Sequence, residues 1–385
     1  MQDVIYADYA ATTPVYPEVI EAMAPFFNLN YGNASAVYSL GRDARKAMKT
    51  ARESIAERLG AEPEEIFFTS GATESNNWAV IMGPKISNKN KIITSKIEHH
   101  AILQPVEYMK SKGFETVIID VGPDGLVNMN KLENCIDSKT GLVSVMFVNN
   151  EIGTIQPIEE ISKICQKNGV IFHTDAAQGL GHLNINVKKL GINMLSFSGH
   201  KFGAPKGIGG IFIKKGLNIG PFIHGGGQEF GMRPGTENIA SIIGMAKALE
   251  ITYNNLEEEN EKLYNFDKIL IESLLKIKKS RLNGHPEKRI AGNTNFCFEG
   301  VEGEAIILNL DQNGICVSSG SACTSRSLEP SHVLLAIGLS HEISHGSVRI
   351  SLGRFSTKEH IDFIISKLTE IIIKLRKMSP LWNED

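Results

Sequence analysis

Seven short apolar runs, separated mostly by helical or turn-rich stretches, constrain the fold of this chain more than any other feature. They lie at residues 66–68, 91–94, 116–119, 142–148, 170–172, 192–197 and 210–213. Runs of this kind are typical of strands buried on both faces, which occur in parallel sheets covered by helices. The sequence therefore predicts an α/β fold with a large domain built on a mostly parallel, seven-stranded sheet.

The segments outside this series predict helices and a second, smaller domain. Residues 39–60 carry apolar side chains at three- and four-residue steps and end at Gly60, as an amphipathic helix does. The pattern from about 240 to 279 is also helical and leads away from the sheet. Further strands are predicted at 295–298, 314–317 and 348–352, and helices at 303–312, 330–338 and 357–376. The predicted division is a large domain at 15–260 and a smaller α+β domain formed by 1–14 and 261–385.

The composition narrows the class of function. A formal net charge of −3 with 22% charged residues argues against a nucleic-acid partner and favours small-molecule chemistry. No apolar run approaches the length of a membrane span, and the first residues do not resemble an export signal. The five cysteines lack C-x-x-C pairs, which argues against a disulfide framework or a structural zinc site. We expect a cytoplasmic protein without a membrane partner.

An acid and a lysine follow two neighbouring predicted strands. Asp175, in V-I-F-H-T-D-A-A-Q, comes just past a buried strand, at the edge where open α/β sheets hold ligands. Lys201, in S-F-S-G-H-K, follows the next strand. Pyridoxal phosphate needs this pair, because a carboxylate keeps its ring nitrogen protonated and a lysine forms a Schiff base with its aldehyde. By itself Asp175 is equally compatible with a helix cap, and Lys206 with a surface turn.

The chain also offers groups for a phosphate. The segment I-F-F-T-S-G-A-T-E-S-N-N at 66–77 passes from a strand into a helix, so it presents backbone N–H groups and the Thr73 hydroxyl to an anion. Ser198 and His200 flank the lysine, and Thr236 in R-P-G-T-E-N stands at another helix start. Each loop taken singly could be an ordinary N-cap. The glycine-rich motif of dinucleotide-binding proteins, G-x-G-x-x-G, is absent from the chain. Together these segments favour pyridoxal phosphate over a dinucleotide.

Five segments of the chain closely resemble, in this order, the motifs of the NifS/IscS-type cysteine desulfurases. They are S-G-A-T-E-S-N-N, H-T-D-A-A-Q, S-G-H-K-F-G-A-P-K-G-I-G, R-P-G-T-E-N and S-S-G-S-A-C-T-S. The resemblance extends along the chain from Y-A-D-Y-A-A-T-T-P at 6–14 to V-R-I-S-L-G-R-F at 348–355. It implies the aspartate-aminotransferase-like fold of PLP-dependent transferases, a homodimer, and removal of sulfur from L-cysteine to leave L-alanine. It also implies a persulfide acceptor such as an iron–sulfur scaffold protein.

The resemblance implies roles for individual residues. Lys201 would be the Schiff-base lysine, Asp175 the partner of the pyridine nitrogen and Gln178 a donor to the phenolic oxygen. His99, in K-I-E-H-H, would stack on the ring and transfer protons, although the sequence alone leaves His100 as an alternative. The phosphate ligands would be Gly71, Ala72, Thr73, Ser198 and His200, with Thr236 from the partner subunit.

Substrate binding is likewise implied by the resemblance. Arg349 would clamp the substrate carboxylate as a planar bidentate donor, assisted by Asn150 and Asn33. Arg354 is the competing clamp, for which we expect a structural ion pair instead. The segment around Asn33 reads N-A-S-A-V-Y where relatives commonly read N-P-S-S-x-H, which predicts an altered loop or cavity entrance.

Cys323 is the cysteine expected to carry chemistry. It lies in the small-residue run V-S-S-G-S-A-C-T-S-R-S, which predicts a mobile loop at about 318–330. The resemblance implies that its thiolate takes the sulfur as a persulfide and transiently ligates an iron–sulfur cluster, with no resident metal. The other four cysteines have apolar neighbours and are expected to be inert, although Cys316 could trap the persulfide as a disulfide. The rival functions are another PLP enzyme, such as an aminotransferase or selenocysteine lyase, and a catalytically idle scaffold.

Overall fold

A computed structural model describes residues 4–319, 330–379 and 382 of the chain. The strands are β1 (Ile5–Tyr6), β2 (Ile66–Thr69), β3 (Lys91–Ser95), β4 (Glu115–Ile119), β5 (Thr140–Ser144), β6 (Ile171–Asp175), β7 (Met194–Ser198), β8 (Gly209–Ile213), β9 (Ser280–Asn283), β10 (Asn293–Phe298), β11 (Ile315–Cys316) and β12 (Ser347–Ser351). The helices are α1 (Pro17–Met23), α2 (Pro25–Asn28), α3 (Ser39–Leu59), α4 (Ala72–Ile86), α5 (His100–Ser111), α6 (Met129–Cys135), α7 (Ile158–Lys167), α8 (Val187–Leu190), α9 (Ile239–Asn254), α10 (Leu256–Leu274), α11 (Gly303–Asp311), α12 (His332–Ala336), α13 (His341–His345) and α14 (Lys358–Met378).

The predicted seven-stranded sheet is confirmed. Its strand order is β2-β8-β7-β6-β5-β3-β4, and all neighbours are parallel except β8, which runs antiparallel to β2 and β7. The apolar run at 142–148 continues past the end of β5. Its backbone still bonds to the neighbouring strand, since Val145 N donates to His173 O (3.1 Å) and Phe147 N donates to Asp175 O (2.8 Å). This extension brings the end of β5 alongside Asp175.

A row of polar side chains crosses the sheet just below the carboxyl ends of β5, β6 and β7. The His173 imidazole lies between the Ser144 and Ser196 hydroxyls, with 2.9 Å from a ring nitrogen to each oxygen. Burial lowers the pKa of His173 to about 3, so the ring is neutral and exchanges hydrogen bonds with both hydroxyls. Asp175 lies two residues further along β6 and therefore on the same face.

The second half of the chain differs from its prediction in three places. The helical pattern at 240–279 is divided between α9 and α10, which meet at Asn255. The run at 314–317 pairs with β1 in a separate two-stranded sheet, whereas β10 lies between β12 and β9. Strand β9 was not predicted, because S-R-L-N has no apolar pattern.

Two groups of buried side chains accompany these sheets. Each face of the seven-stranded sheet has its own apolar core beneath the helices that cover it, and these two cores form the first group. The second group packs β10 and β12 against α10, α11 and α14. The predicted boundary at 260 falls inside α10, so the division into domains stays a prediction. Within the described residues, no helix is long and apolar enough to cross a membrane.

Candidate active site

A cavity of about 630 Å³ opens at the carboxyl ends of the parallel strands. Eleven of the residues singled out from the sequence line it: Gly71, Ala72, Thr73, His99, Asn150, Asp175, Gln178, Ser198, His200, Lys201 and Arg349. They come from segments that span almost 280 positions of the chain, from 71 to 349. The fold therefore gathers most of the predicted site at one edge of the sheet, as open α/β sheets do.

Asp175 is held in place by two donors. It is 5% exposed, and its Oδ2 accepts a 2.6 Å hydrogen bond from Asn76 Nδ2 on α4. Its Oδ1 accepts from the backbone N–H of Ala177 at 2.9 Å. The residues after it form a turn rather than a helix, so Asp175 is not a helix cap. No local pattern predicted the role of Asn76, because the contact joins residues 99 positions apart.

Lys201 ends a single 3₁₀ turn, 199–201, directly after β7. Its Nζ donates to the carbonyl oxygens of Ala10 (2.6 Å) and Ala11 (2.9 Å). Gln178 Nε2 donates to the same Ala10 oxygen at 2.8 Å. The amino-terminal segment thus forms one wall of the cavity and orients two of the predicted site residues. Only the family resemblance had pointed to this segment as part of the site.

The first turn of α4 provides backbone donors to the cavity. Its N-cap, Gly71, makes no side-chain cap hydrogen bond. A Cβ on Gly71 would lie 3.4 Å from Ser198 Oγ, so any side chain there would fill the space between the helix start and Ser198. A Cβ on Gly209 of β8 would lie 2.6 Å from the Gly71 Cα. Only glycines permit this close approach, which leaves the backbone open to an anion.

His200 lines the same cavity as this helix start and is neutral at pH 7. Its Nδ1 is 3.1 Å from Thr12 Oγ1. Burial, followed by the positive charges of Lys201 and Lys206, lowers the pKa of His200 to about 4. His200 is therefore a hydrogen-bonding group rather than a charge. Lys206, for which the sequence favours a surface turn, is exposed and lines the cavity.

The structure distinguishes the two adjacent histidines. His99 Nδ1 accepts a 3.0 Å hydrogen bond from Ala101 N and so caps α5, which leaves the proton of the neutral ring on Nε2. Burial lowers the pKa of His99; the nearby Lys201 acts in the same direction and Asp175 opposes it. His100 also lines the cavity, with its ring centroid 4.9 Å from that of His332. Because His99 interacts electrostatically with both Asp175 and Lys201, it is favoured over His100 as the histidine that would take part in the reaction.

Two buried acids near the cavity were not predicted. Glu98 is fully buried, and its Oε1 accepts from Ser95 Oγ (2.5 Å) and Met146 N (2.9 Å). Burial raises the pKa of Glu98 to about 8. Glu151 lines the cavity, and burial raises its pKa to about 7 even though Ser331 donates to it at 2.5 Å. The triplet E-H-H contained the signal for Glu98, since an acid precedes the two histidines directly.

Arg349 occupies the side of the cavity next to Asn150. Its guanidinium donates from Nη1 to the Asn150 carbonyl at 3.0 Å and from Nη2 to Asp8 Oδ1 at 2.8 Å. Arg354, the competing clamp, instead forms ion pairs with Glu18 (3.2 Å) and Glu259 (3.8 Å). The geometry thus places Arg349 at the cavity.

Two of the predicted site residues that the structure describes, Asn33 and Thr236, are not brought to this cavity. Asn33 is exposed, outside the lining, and its Oδ1 accepts from Ser35 N at 2.8 Å within its own loop. Thr236 is also exposed and outside the lining, so its predicted contribution to a partner subunit stays a prediction. Cys323 lies outside the described residues. Cys316 is partly buried, and burial raises its pKa.

The cavity combines a lysine, a buried carboxylate and an uncapped helix start at the carboxyl edge of a mostly parallel sheet, which defines a PLP-dependent enzyme of the aminotransferase type. The sequence profile of the family described as aminotransferase class-V matches residues 5–364. The chain belongs to this family and, within it, to the NifS/IscS-type cysteine desulfurases, which confirms the resemblance seen in the sequence.

Individual relatives support this membership. The chain is 51% identical over 380 residues to the cysteine desulfurase IscS of Methanosarcina thermophila, covering 98% of this chain and 94% of the relative. It is 50% identical over 390 residues to the IscS of Clostridium botulinum, covering 100% of this chain and 98% of the relative. A solved structure described as a NifS-like protein matches with a TM-score of 0.91 and 37% identity, covering 96% of this chain and 100% of that one.

Proposed function

We propose that this protein is a cysteine desulfurase that uses pyridoxal phosphate to remove sulfur from L-cysteine, leaving L-alanine and a persulfide on Cys323. The observation that carries the proposal is the convergence of Lys201, Asp175 and Arg349 on one cavity in a chain of this family. A lysine amine, a carboxylate and an arginine at one site suit a substrate with an amino group and a carboxylate.

The residues present fit pyridoxal phosphate. Asp175 is a buried carboxylate that can hold the pyridine N–H, and its position is fixed by Asn76. The uncapped start of α4, with Thr73, Ser198 and neutral His200 around it, provides the donors that a phosphate group requires. When bound, the cofactor supplies an electron sink for the charge that develops at the substrate Cα.

The remaining steps are performed by side chains of this chain. Arg349 binds the substrate carboxylate and Asn150 adds a neighbouring amide. Lys201 Nζ accepts the proton from Cα and returns it during formation of alanine, while the N–H at His99 Nε2 is available to donate. The Cys323 thiolate attacks the substrate sulfur, so that a sulfur–sulfur bond forms on the protein and the carbon–sulfur bond breaks. The electron pair of that bond stays with the substrate Cβ, which takes up a proton and becomes the methyl group of alanine.

The wider context of the reaction is also part of the proposal. A homodimer would allow Thr236 of each subunit to reach the phosphate of the other, which agrees with its exposure outside its own cavity. The persulfide would pass to an acceptor such as an iron–sulfur scaffold protein. Five cysteines without C-x-x-C pairs favour a reducing, cytoplasmic setting.

The test is the variant Cys323→Ser, with Cys316→Ser as the matched control. We expect Cys323→Ser to retain the visible absorbance of the bound cofactor and to lose sulfide release from L-cysteine, because only the sulfur acceptor is removed. Cys316→Ser should retain both. Turnover preserved in Cys323→Ser would reject the assignment of the nucleophile. Borohydride fixation followed by peptide mapping should place the cofactor on Lys201, and an adduct elsewhere would reject the site.

A further inference from the structure

Asp8 lies directly against the arginine proposed to bind the substrate carboxylate. Its Oδ1 is 2.8 Å from Arg349 Nη2, and the two side chains are 19% and 2% exposed. Residue 8 forms a parallel bridge with Ser351 on β12, and its carbonyl accepts from Tyr6 Oη at 3.0 Å. Both members of the ion pair are therefore held by ordered backbone.

The donors of Arg349 can be counted. A guanidinium has five N–H donors. One on Nη1 goes to the Asn150 carbonyl and one on Nη2 goes to Asp8. The buried Nε has no partner among the described residues. One N–H remains on each terminal nitrogen, and a carboxylate could accept from this pair while Asp8 stays in place.

A carboxylate at this position has two opposing effects on a bound substrate. It fixes the plane of the guanidinium and compensates part of the charge of a buried cation. It also places a negative charge on the group that must attract the substrate carboxylate, which weakens that attraction. L-alanine carries the same carboxylate as L-cysteine. A weaker attraction therefore promotes release of the product to the same extent as it weakens binding of the substrate.

We propose that Asp8 is a positioning residue for Arg349 whose charge also limits the affinity of the site for amino-acid carboxylates and so prevents retention of the alanine product. This inference rests on the proposed function, because it takes Arg349 as the carboxylate ligand. Asp8→Asn isolates the effect of charge, since the amide oxygen can still accept from Nη2 while the opposing charge is gone.

The experiment uses the full-length holoenzyme and two probes, L-alanine and L-alaninamide, which lacks the carboxylate. Equilibrium binding is followed by the change in visible absorbance of the bound cofactor. For Asp8→Asn we expect about three- to tenfold tighter binding of L-alanine and unchanged binding of L-alaninamide. The KM for L-cysteine should fall and product inhibition by L-alanine should strengthen by a similar factor. Asp43→Asn, an exposed site on α3 with the same change of charge, is the matched control and should alter neither probe.

Each outcome separates the two proposals. If Arg349→Met abolishes the preference of the wild type for L-alanine over L-alaninamide, Arg349 is the carboxylate ligand. If the wild type shows no such preference, the proposed role of Arg349 fails, and the inference about Asp8 fails with it. If the preference depends on Arg349 but Asp8→Asn leaves L-alanine binding unchanged or weaker, only the inference about Asp8 is overturned. Asp8→Ala, which also removes the acceptor, should bind L-alanine less tightly than Asp8→Asn does; equal or tighter binding would reject the positioning role.

Discussion

The substitution Glu98→Gln tests whether the acid buried beneath the cavity is protonated. Its Oε1 already accepts from Ser95 Oγ and Met146 N, and a glutamine oxygen can accept the same two hydrogen bonds. The only intended change is the loss of a titratable proton. At pH 7 the wild-type carboxyl is mostly neutral, because burial raises its pKa from 4.5 to about 8.

The magnitude follows from this shift. Below pH 4.5 both the folded and the unfolded protein hold the proton, and Glu98 adds no pH dependence. Between pH 4.5 and about 8 the unfolded carboxyl ionises while the folded one stays protonated, so the free energy of unfolding falls by about 1.4 kcal/mol per pH unit. From pH 5 to pH 8.5 the wild type should lose about 4 kcal/mol through this group alone. Glu98→Gln should not show this decrease in the free energy of unfolding, because its amide does not titrate.

Urea unfolding of both proteins at a series of pH values measures the difference, with protein and cofactor concentrations held constant. We expect the stability of Glu98→Gln relative to the wild type to rise steadily from pH 5 to pH 8.5. Glu107→Gln, on the exposed side of α5, is the control and should show no such trend. Parallel stability curves for Glu98→Gln and the wild type across this range would refute the reasoning, because they would mean that the buried carboxyl ionises as readily as an exposed one.

Two further predictions concern the elements that hold the cavity. Glu229→Gln should lower the free energy of unfolding by about 3–5 kcal/mol, because it weakens the 2.5 Å ion pair with buried Arg52. Urea unfolding measures this difference, and a decrease of less than about 1 kcal/mol would contradict the prediction. Gly209→Ala should weaken binding of pyridoxal phosphate in an absorbance titration, because the new Cβ would displace Gly71 at the start of α4. Gly227→Ala, where a Cβ meets nothing within 4 Å, should bind the cofactor normally, and equal affinities for the two variants would reject the argument.

The sheet and much of the cavity could be predicted because their signals are local. Each of the seven strands carries its own run of apolar residues. Six of them are buried on both faces, which leaves that pattern in the sequence, whereas the edge strand β4 keeps the apolar run although it is partly exposed. Asp175 and Lys201 were found because Asp175 ends β6 and Lys201 follows β7 after a single turn, and parallel strands end at a common edge. The pattern failed at β9, whose side chains are mostly polar.

The sequence by itself determined the class of fold, the family and the chemistry-bearing residues at strand ends, because these depend on neighbours a few positions apart. Only the tertiary structure shows that Arg349 lines the cavity while Arg354 pairs with acids outside it. It also shows that His99 caps α5 and that Asp8 lies against a guanidinium 341 positions away. Such contacts depend on the paths of distant segments through space. The pKa shifts at Glu98 and His200 likewise arise from burial by many elements together, which leaves no trace in the spacing of residues along the chain.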